Sequence, residues 1–274
     1  MNNNFVQISW FGKHFGEEPP LVGNKDQGSG AIFFTGCNLK CVFCQNYQIS
    51  HKGLGKSFSI DELVSIMLDL QKQNCLNINF VTPTIWFEQI KSAILLAKEK
   101  GLKIPIVWNS NGYEVVEILK EMNGLVDIYL PDFKYGTDKT AEKYSKIFNY
   151  PKTAKNAVLE MLSHVGNLKT KNNIAKKGVI VRHLVLPNNL DNTFVALDLL
   201  SEIDKNIYIS LMGQYNPIFK SKEFVEISRK LYLSEWEKAK NYLKKKGFEN
   251  GWIQDLDSAD CLVPDFNKKN PFEK

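Results

Sequence analysis

Short runs of apolar and β-branched residues alternate along the chain with longer segments whose apolar positions recur at helical spacing. This alternation is typical of repeated strand–helix units that build a parallel sheet. Each apolar run ends at a Gly, a Pro or a polar loop. The six predicted strands are Ala31–Thr35, Asn77–Val81, Ile104–Trp108, Val126–Leu130, Val179–Leu186 and Ile207–Leu211. We therefore expect an α/β fold, a partial (β/α)6 TIM-like barrel with parallel strands.

Two capping boxes predict helix starts. In such a box a serine hydroxyl and a carboxylate three residues later accept hydrogen bonds from each other's backbone amides. Ser59 and Glu62 predict a helix over residues 60–73, and Ser234 and Glu237 predict the start of a final helix.

The length of 274 residues and the apolar content of 43% fit one large domain. We expect residues 28–247 to form the barrel. Residues 1–27 are then an N-terminal extension, and residues 248–274 are a C-terminal tail.

Charge and hydropathy narrow the class of protein. The chain has no run of eighteen apolar residues, and Met1–Ile8 is polar, so we expect a cytoplasmic protein without a membrane partner. The net charge of +5 comes almost entirely from scattered lysines, since Arg182 and Arg229 are the only arginines. Nucleic-acid readers favour arginine forks and clustered basic faces, so no nucleic-acid partner is expected.

The cysteines carry the strongest chemical signal. The chain has five, and three of them, Cys37, Cys41 and Cys44, form a C-x3-C-x2-C loop directly after the first predicted strand. This distribution suits metal binding better than a disulfide framework. In βα barrels the loops that follow the strands share the catalytic face. The alternative is a structural zinc site with His51 as fourth ligand, although no second cysteine pair of that kind is present.

The loop, with Phe43 before its last cysteine, resembles the radical S-adenosylmethionine superfamily. Further stretches that carry this resemblance lie at the same predicted face: Gly28–Gly36, Asn109-Ser110-Asn111-Gly112, Asp132-Phe133-Lys134 and Arg182. The chain is most similar to the pyruvate formate-lyase activating enzyme-like family, which contains glycyl-radical activase homologs. The resemblance runs from about residue 15 to residue 236.

This resemblance implies two cofactors and a radical reaction. Three thiolates would hold a [4Fe–4S] cluster, and the fourth iron would bind S-adenosylmethionine. The reduced cluster would cleave S-adenosylmethionine to methionine and a 5′-deoxyadenosyl radical, which abstracts hydrogen from the substrate. An electron donor such as flavodoxin or ferredoxin is then a partner, and a glycyl-radical enzyme is a candidate second partner.

The resemblance also assigns cofactor-binding roles. Asn109 stands where activases place a ribose-binding Asp, and Ser110 lies on the same edge. Asp132 and Lys134 match an Asp-Leu-Lys motif whose lysine faces the methionine carboxylate. Arg182 lies in an apolar strand, either as a site residue or in an ion pair with Asp132 or Asp127.

Two positions depart from the family pattern. Where the family has a Gly-Gly-Glu-like segment for the methionine amino group, this chain has Val81-Thr82-Pro83-Thr84, so Thr82 is the candidate there. Ser210 stands where activases often have a histidine. The departures suggest a divergent branch with another substrate.

Further residues are assigned more loosely. Tyr129, Gln214 and Tyr215 are candidate substrate-pocket residues near strand ends. The segment His14–Pro20 either closes over the active site or is a surface turn. Cys75 is expected to be a small buried residue. The only cysteine of the C-terminal region is Cys261, so no second cluster is expected.

Three functions stay open at this stage. The chain is an activase that removes a hydrogen from a glycine of a partner enzyme, or a radical enzyme that acts on a small molecule or peptide. The third is a non-enzymatic metal-binding module. The first two share the same cofactor chemistry, so the sequence does not separate them.

Overall fold

In the computed structural model, which describes residues 4–254, 256 and 263–273, one mixed sheet forms the centre of the molecule. The strands of the described residues are β1 Phe5–His14, β2 Ser29–Phe34, β3 Lys56–Ser59, β4 Ile78–Val81, β5 Ile106–Ser110, β6 Ile128–Pro131, β7 Lys169–Lys171, β8 Ile174–Leu184, β9 Tyr208–Met212 and β10 Gly251–Ile253.

Helices connect the strands, and the longer helices pack on the outside of the sheet. They are α1 Pro19–Val22, α2 Tyr47–Ser50, α3 Ile60–Lys72, α4 Phe87–Glu99, α5 Val116–Glu121, α6 Asp138–Ser145, α7 Tyr150–Val165, α8 Leu190–Ile203 and α9 Leu233–Lys245. None of the helices in the described part of the chain is long and apolar enough to cross a membrane.

The sheet is open. Its strand order is β10-β9-β8-β6-β5-β4-β2-β1-β3, and β7 pairs only with β8. The strands from β2 to β10 along this order pair in parallel, as expected for βα units. This confirms the predicted partial barrel with parallel strands. Two features are additional: β10 extends the parallel part, and the antiparallel pair β1 and β3 extends the other edge.

Of the two predicted capping boxes, the structure contains one. The backbone N–H of Ser59 donates to Glu62 at 2.7 Å, and the N–H of Glu62 donates to the Ser59 hydroxyl at 3.3 Å. The prediction for the last helix was wrong by two residues. Helix α9 begins at Leu233, and the N–H of Tyr232 donates to Glu235 at 2.9 Å.

Helix α1 fills the interior of the partial barrel at the end where the parallel strands begin. Leu21 of α1 is fully buried among inward-facing side chains of the parallel strands. The Asn77 side chain donates to the Leu21 carbonyl at 2.8 Å and accepts from the Ser29 hydroxyl at 2.7 Å, which fixes α1 in place. The space left open therefore lies at the carboxyl ends of the parallel strands.

Candidate active site

The loops after the parallel strands enclose a cavity of about 230 Å³. Most of the side chains expected at the site from the sequence line it together. These are Cys37, Cys41, Cys44, Phe43, Thr82, Asn109, Ser110, Asp132, Lys134, Arg182 and Gln214. The cavity lies where βα barrels carry their chemistry.

Each thiol of the cysteine loop has a polar side chain against it. Asn111 Nδ2 donates to Cys37 Sγ at 3.3 Å, and the Ser145 hydroxyl donates to Cys41 Sγ at 2.9 Å. Cys44 Sγ lies 3.1 Å from the hydroxyl of Ser50. Neither serine belongs to a sequence motif: Ser50 ends the short helix α2 six residues after Cys44, and the fold brings Ser145 of α6 to the loop from 104 residues away. Donors of this kind stabilise thiolate ligands of a metal.

Without a metal, the thiols of Cys37 and Cys44 hold their protons. Burial raises the pKa of Cys37, and burial with the neighbouring thiols raises the pKa of Cys44 to about 12. Three free thiols that act on one another electrostatically are a donor set for a cluster with thiolate ligands. A bound metal lowers such pKa values and releases the protons.

The structure does not assemble the alternative zinc site from described residues. No three His, Cys, Asp or Glu side chains of residues 4–254, 256 and 263–273 are placed to hold one ion. His51 does not line the cavity; its ring packs on Phe219 with centroids 4.8 Å apart. A cubane spreads its ligands over several irons, so its thiolates need not converge on one point as they do around zinc.

The loop after β6 places Asp132 and Lys134 at the cavity. Lys134 Nζ lies 2.6 Å from Asp132 Oδ2. Burial opposes the charged form of both groups, but their mutual attraction outweighs it. The pKa of Asp132 is lowered and that of Lys134 is raised, so both are charged at neutral pH. The structure therefore offers a buried ammonium group beside the three thiols.

Arg182 joins two carboxylates across the floor of the cavity. Its Nε lies 3.0 Å from Asp132 Oδ1, and its Nη1 lies 3.1 Å from Glu17 Oε2. Nη2 donates to the Asn109 side-chain oxygen. Of the two ion-pair partners named from the sequence, Asp132 is present, whereas Asp127 accepts from the Ile106 N–H.

Glu17 is a further cavity residue to which no sequence motif assigns a role. Its side chain is 5% exposed, and its Oε1 accepts from Asn79 Nδ2 at 3.0 Å. Burial raises the pKa of Glu17, while Arg182 opposes that shift. Neighbouring Glu18 is also buried and has a raised pKa for the same reason. The segment His14–Pro20 thus supplies His14, Gly16 and Glu17 to the cavity lining.

The loops after β4 and β5 each contain a residue with a positive φ angle. Gly112 has φ +77°, and a Cβ there would lie 2.1 Å from the Asp132 carbonyl oxygen. Thr82 has φ +61°, which is unfavourable for a β-branched residue. Its N–H donates to the Asn109 carbonyl at 2.9 Å, which holds this conformation at the cavity edge.

Three of the sequence-derived candidates lie outside the cavity lining. Ser210 is fully buried one layer below Met212, because it precedes Met212 by two residues on β9. Tyr129 faces the outer helices, where its hydroxyl lies 3.0 Å from His164 Nδ1. Strand alternation explains this, since its neighbour Leu130 points into the barrel. Tyr215 is buried and donates to the Ile227 carbonyl at 2.7 Å.

The C-terminal residues add one wall of the cavity. Pro264 and Phe272 line it, and Phe272 packs on His14 with ring centroids 4.2 Å apart. The Phe266 N–H donates to the Gln48 side chain at 2.8 Å, which anchors this segment beside the cysteine loop. Cys75 is buried at 3% exposure and lies away from the cavity lining. Cys261 lies outside the described residues.

Sequence comparison decides the family. The profile of the Radical SAM superfamily matches residues 31–201, which contain the cysteine loop and most of the parallel strands. The chain belongs to the radical SAM superfamily. Members of this superfamily use a [4Fe–4S] cluster and S-adenosylmethionine, which agrees with the two cofactors predicted from the sequence.

Curated relatives come from Methanocaldococcus jannaschii. The uncharacterized protein MJ0674 is 37% identical over 244 residues, which are 85% of this radical SAM chain and 65% of the relative. MJ1227, named as a glycyl-radical enzyme activating enzyme, is 29% identical over 54% of this chain and 58% of its own length. The chain thus spans less than two thirds of either relative.

Solved radical SAM structures share the fold. Streptococcus suis SuiB bound to S-adenosylmethionine superposes with a TM-score of 0.58 at 13% identity, over 82% of this chain and 50% of SuiB. Methylornithine synthase (PylB) superposes with a TM-score of 0.54 at 13% identity, over 81% of this chain and 63% of that enzyme. At such low identity the likeness concerns the fold alone.

Proposed function

We propose that this chain binds a [4Fe–4S] cluster through Cys37, Cys41 and Cys44 and uses it to cleave S-adenosylmethionine reductively. When bound, these cofactors supply a 5′-deoxyadenosyl radical that abstracts hydrogen from the substrate. The observation that carries the proposal is the convergence of three free thiols on one cavity with the buried Asp132–Lys134 pair.

The charges of the cavity floor suit the second cofactor. Two buried carboxyl groups, Glu17 and Asp132, and two cations, Arg182 and Lys134, line the cavity floor. Lys134 is placed to meet a carboxylate through a charge-assisted hydrogen bond.

Four other side chains of the cavity have proposed roles in holding the cofactors. Asn109 and Ser110 line the wall and carry the amide and hydroxyl groups that a ribose needs. Thr82 stands where the family has its Gly-Gly-Glu-like segment and offers a hydroxyl and backbone groups instead of a carboxylate. Phe43 packs its ring against Tyr215, with centroids 6.0 Å apart, and stiffens the cysteine loop.

For the substrate, we propose a glycine of a partner enzyme, so that the chain acts as a glycyl-radical activase. It is supported by the relative named as a glycyl-radical enzyme activating enzyme, which matches about half of this chain. The absence of a carboxylate after β4 in Val81-Thr82-Pro83-Thr84 favours the second candidate, in which the radical acts on a small molecule or a peptide.

A product assay tests the proposal. Iron-loaded enzyme is incubated with S-adenosylmethionine and dithionite without oxygen, and 5′-deoxyadenosine is quantified by chromatography. We expect its release above that of a sample without dithionite. Cluster-loaded protein that releases no 5′-deoxyadenosine would contradict the proposal.

A second arm addresses the substrate. A glycyl-radical enzyme is added, and a glycine-centred radical is sought by electron paramagnetic resonance. A radical on the added enzyme supports activation. Accelerated release of 5′-deoxyadenosine with peptides or small molecules, and no glycine radical, supports the second candidate.

A further inference from the structure

The hydroxyl of Tyr135 is buried beside the cysteine loop. Tyr135 follows Lys134 in the loop after β6, and its side chain is fully buried outside the cavity lining. Its ring packs edge-on against Phe43 and Tyr150, with centroids 6.4 Å and 5.1 Å away. The hydroxyl lies 2.5 Å from the hydroxyl of Ser145, which lies 2.9 Å from Cys41 Sγ. Two buried hydroxyl groups therefore form a chain that ends on a sulfur atom of the loop.

The direction of both hydrogen bonds follows from the chemistry of a thiolate. A cysteine that holds a metal is deprotonated, so its sulfur can only accept. A serine hydroxyl has one hydrogen, and the described part of the chain gives Ser145 Oγ two partners, Tyr135 Oη and Cys41 Sγ. When Cys41 is a ligand, the Ser145 hydrogen points to its sulfur, and the Tyr135 hydroxyl donates to Ser145 Oγ. We call Tyr135 and Ser145 the hydroxyl relay.

The serine beside Cys44 is arranged differently. The Ser50 hydroxyl lies 3.1 Å from Cys44 Sγ, but it also donates to the Asn46 carbonyl at 2.9 Å. Its single hydrogen is therefore shared between a sulfur atom and a backbone carbonyl. The hydrogen of Ser145 is instead directed to Cys41, and a second hydroxyl reinforces that bond.

We propose that Tyr135 is a positioning residue that acts through Ser145 to raise the reduction potential of the cluster. The inference rests on the proposed function, since it concerns the cluster held by the cysteine loop. Reduction adds negative charge to the cluster and its sulfur ligands, so a donor at Cys41 stabilises the reduced form more than the oxidised form. A hydroxyl that itself accepts a hydrogen bond is a stronger donor. The hydroxyl relay therefore shifts the cluster toward its reduced form at any given potential.

Reduction potentials of cluster-loaded variants test the hydroxyl relay. Tyr135→Phe removes only the hydroxyl and keeps the ring that packs on Phe43, whereas Ser145→Ala removes the donor itself. A double variant combines both changes. The control is Tyr144→Phe: Tyr144 is also buried, but its hydroxyl donates to Glu226 at 2.6 Å, and neither residue lines the cavity. Each protein is titrated potentiometrically without oxygen, and the reduced cluster is quantified by electron paramagnetic resonance.

We expect the ratio of reduced to oxidised cluster at a fixed potential to fall about threefold in Tyr135→Phe and about tenfold in Ser145→Ala. For a one-electron couple these ratios correspond to shifts of about 30 mV and about 60 mV to lower potential. The double variant should match Ser145→Ala, because Tyr135 acts through Ser145. Tyr144→Phe should keep the original potential, and every variant should keep the iron content of the original chain.

Three results would overturn the hydroxyl relay and leave the proposed function standing. The first is an unchanged potential in Tyr135→Phe, and the second is an effect of Tyr135→Phe that persists when Ser145 is alanine. The third is a cluster lost from Tyr135→Phe but kept in Tyr144→Phe, since the Tyr135 hydroxyl would then serve assembly of the site. The proposed function fails separately, when the cluster-loaded original chain releases no 5′-deoxyadenosine. An original chain that holds no cluster overturns both.

Discussion

Replacing Cys41 with alanine is expected to remove the cluster and, with it, all release of 5′-deoxyadenosine. Cys41 Sγ is buried at the cavity and accepts a hydrogen bond from the Ser145 hydroxyl at 2.9 Å. A cubane held by three thiolates has no protein ligand to spare, so loss of one leaves two. Iron and sulfide per chain, measured after anaerobic reconstitution, should fall to the background of unloaded protein.

The matched control is Cys75→Ala. Cys75 is a buried free cysteine like Cys41, but it does not line the cavity. We expect this variant to keep its iron content and its product formation. A cluster that survives Cys41→Ala, or one that is lost with Cys75→Ala, would overturn the ligand assignment.

Replacing Arg182 with methionine is expected to destabilise the fold by about 3–5 kcal/mol. The Arg182 side chain is 16% exposed and pairs with Glu17 and Asp132, which are 5% and 18% exposed. Without the guanidinium, Glu17 is left as a buried carboxyl group without its cation, although Asp132 keeps Lys134. Urea unfolding followed by tryptophan fluorescence measures the difference.

Two further variants separate this effect from a general loss of packing. Adding Glu17→Gln to Arg182→Met removes the uncompensated charge and should restore part of the lost stability. Lys91→Met breaks an exposed pair with Glu121, for which a loss below about 1 kcal/mol is expected. Equal stability of the Arg182→Met variant and the original chain would contradict the buried network.

Much of the fold follows from local sequence signals. Parallel strands that are buried on both faces appear in the sequence as short apolar runs. Such runs predicted the strands β2, β4, β5, β6, β8 and β9. Strand β1 lies in the predicted N-terminal extension and was not among the six predicted strands, although Val6 and Ile8 are buried and Gln7 between them is exposed. Strand β10 has three residues, too few for any periodicity to appear.

In the candidate site, too, some residues belong to local sequence motifs and others are brought together only by the fold. The cysteine loop and Asp132-Phe133-Lys134 are local patterns, so the sequence alone marks them. Glu17 carries no local signal, because its role comes from Arg182, which lies 165 residues further along the chain. Tyr129 lies close to a strand end, but the alternation of side chains across the strand turns it toward His164 on the outer helices.

We propose that a cluster held by Cys37, Cys41 and Cys44 has an open iron that binds S-adenosylmethionine. Electron paramagnetic resonance of the dithionite-reduced, cluster-loaded protein, recorded before and after addition of S-adenosylmethionine, tests it most directly. We predict a reduced-cluster signal whose g-values change when the cofactor is added. A signal that stays the same at saturating S-adenosylmethionine, or protein that holds no such cluster after reconstitution, would contradict the account.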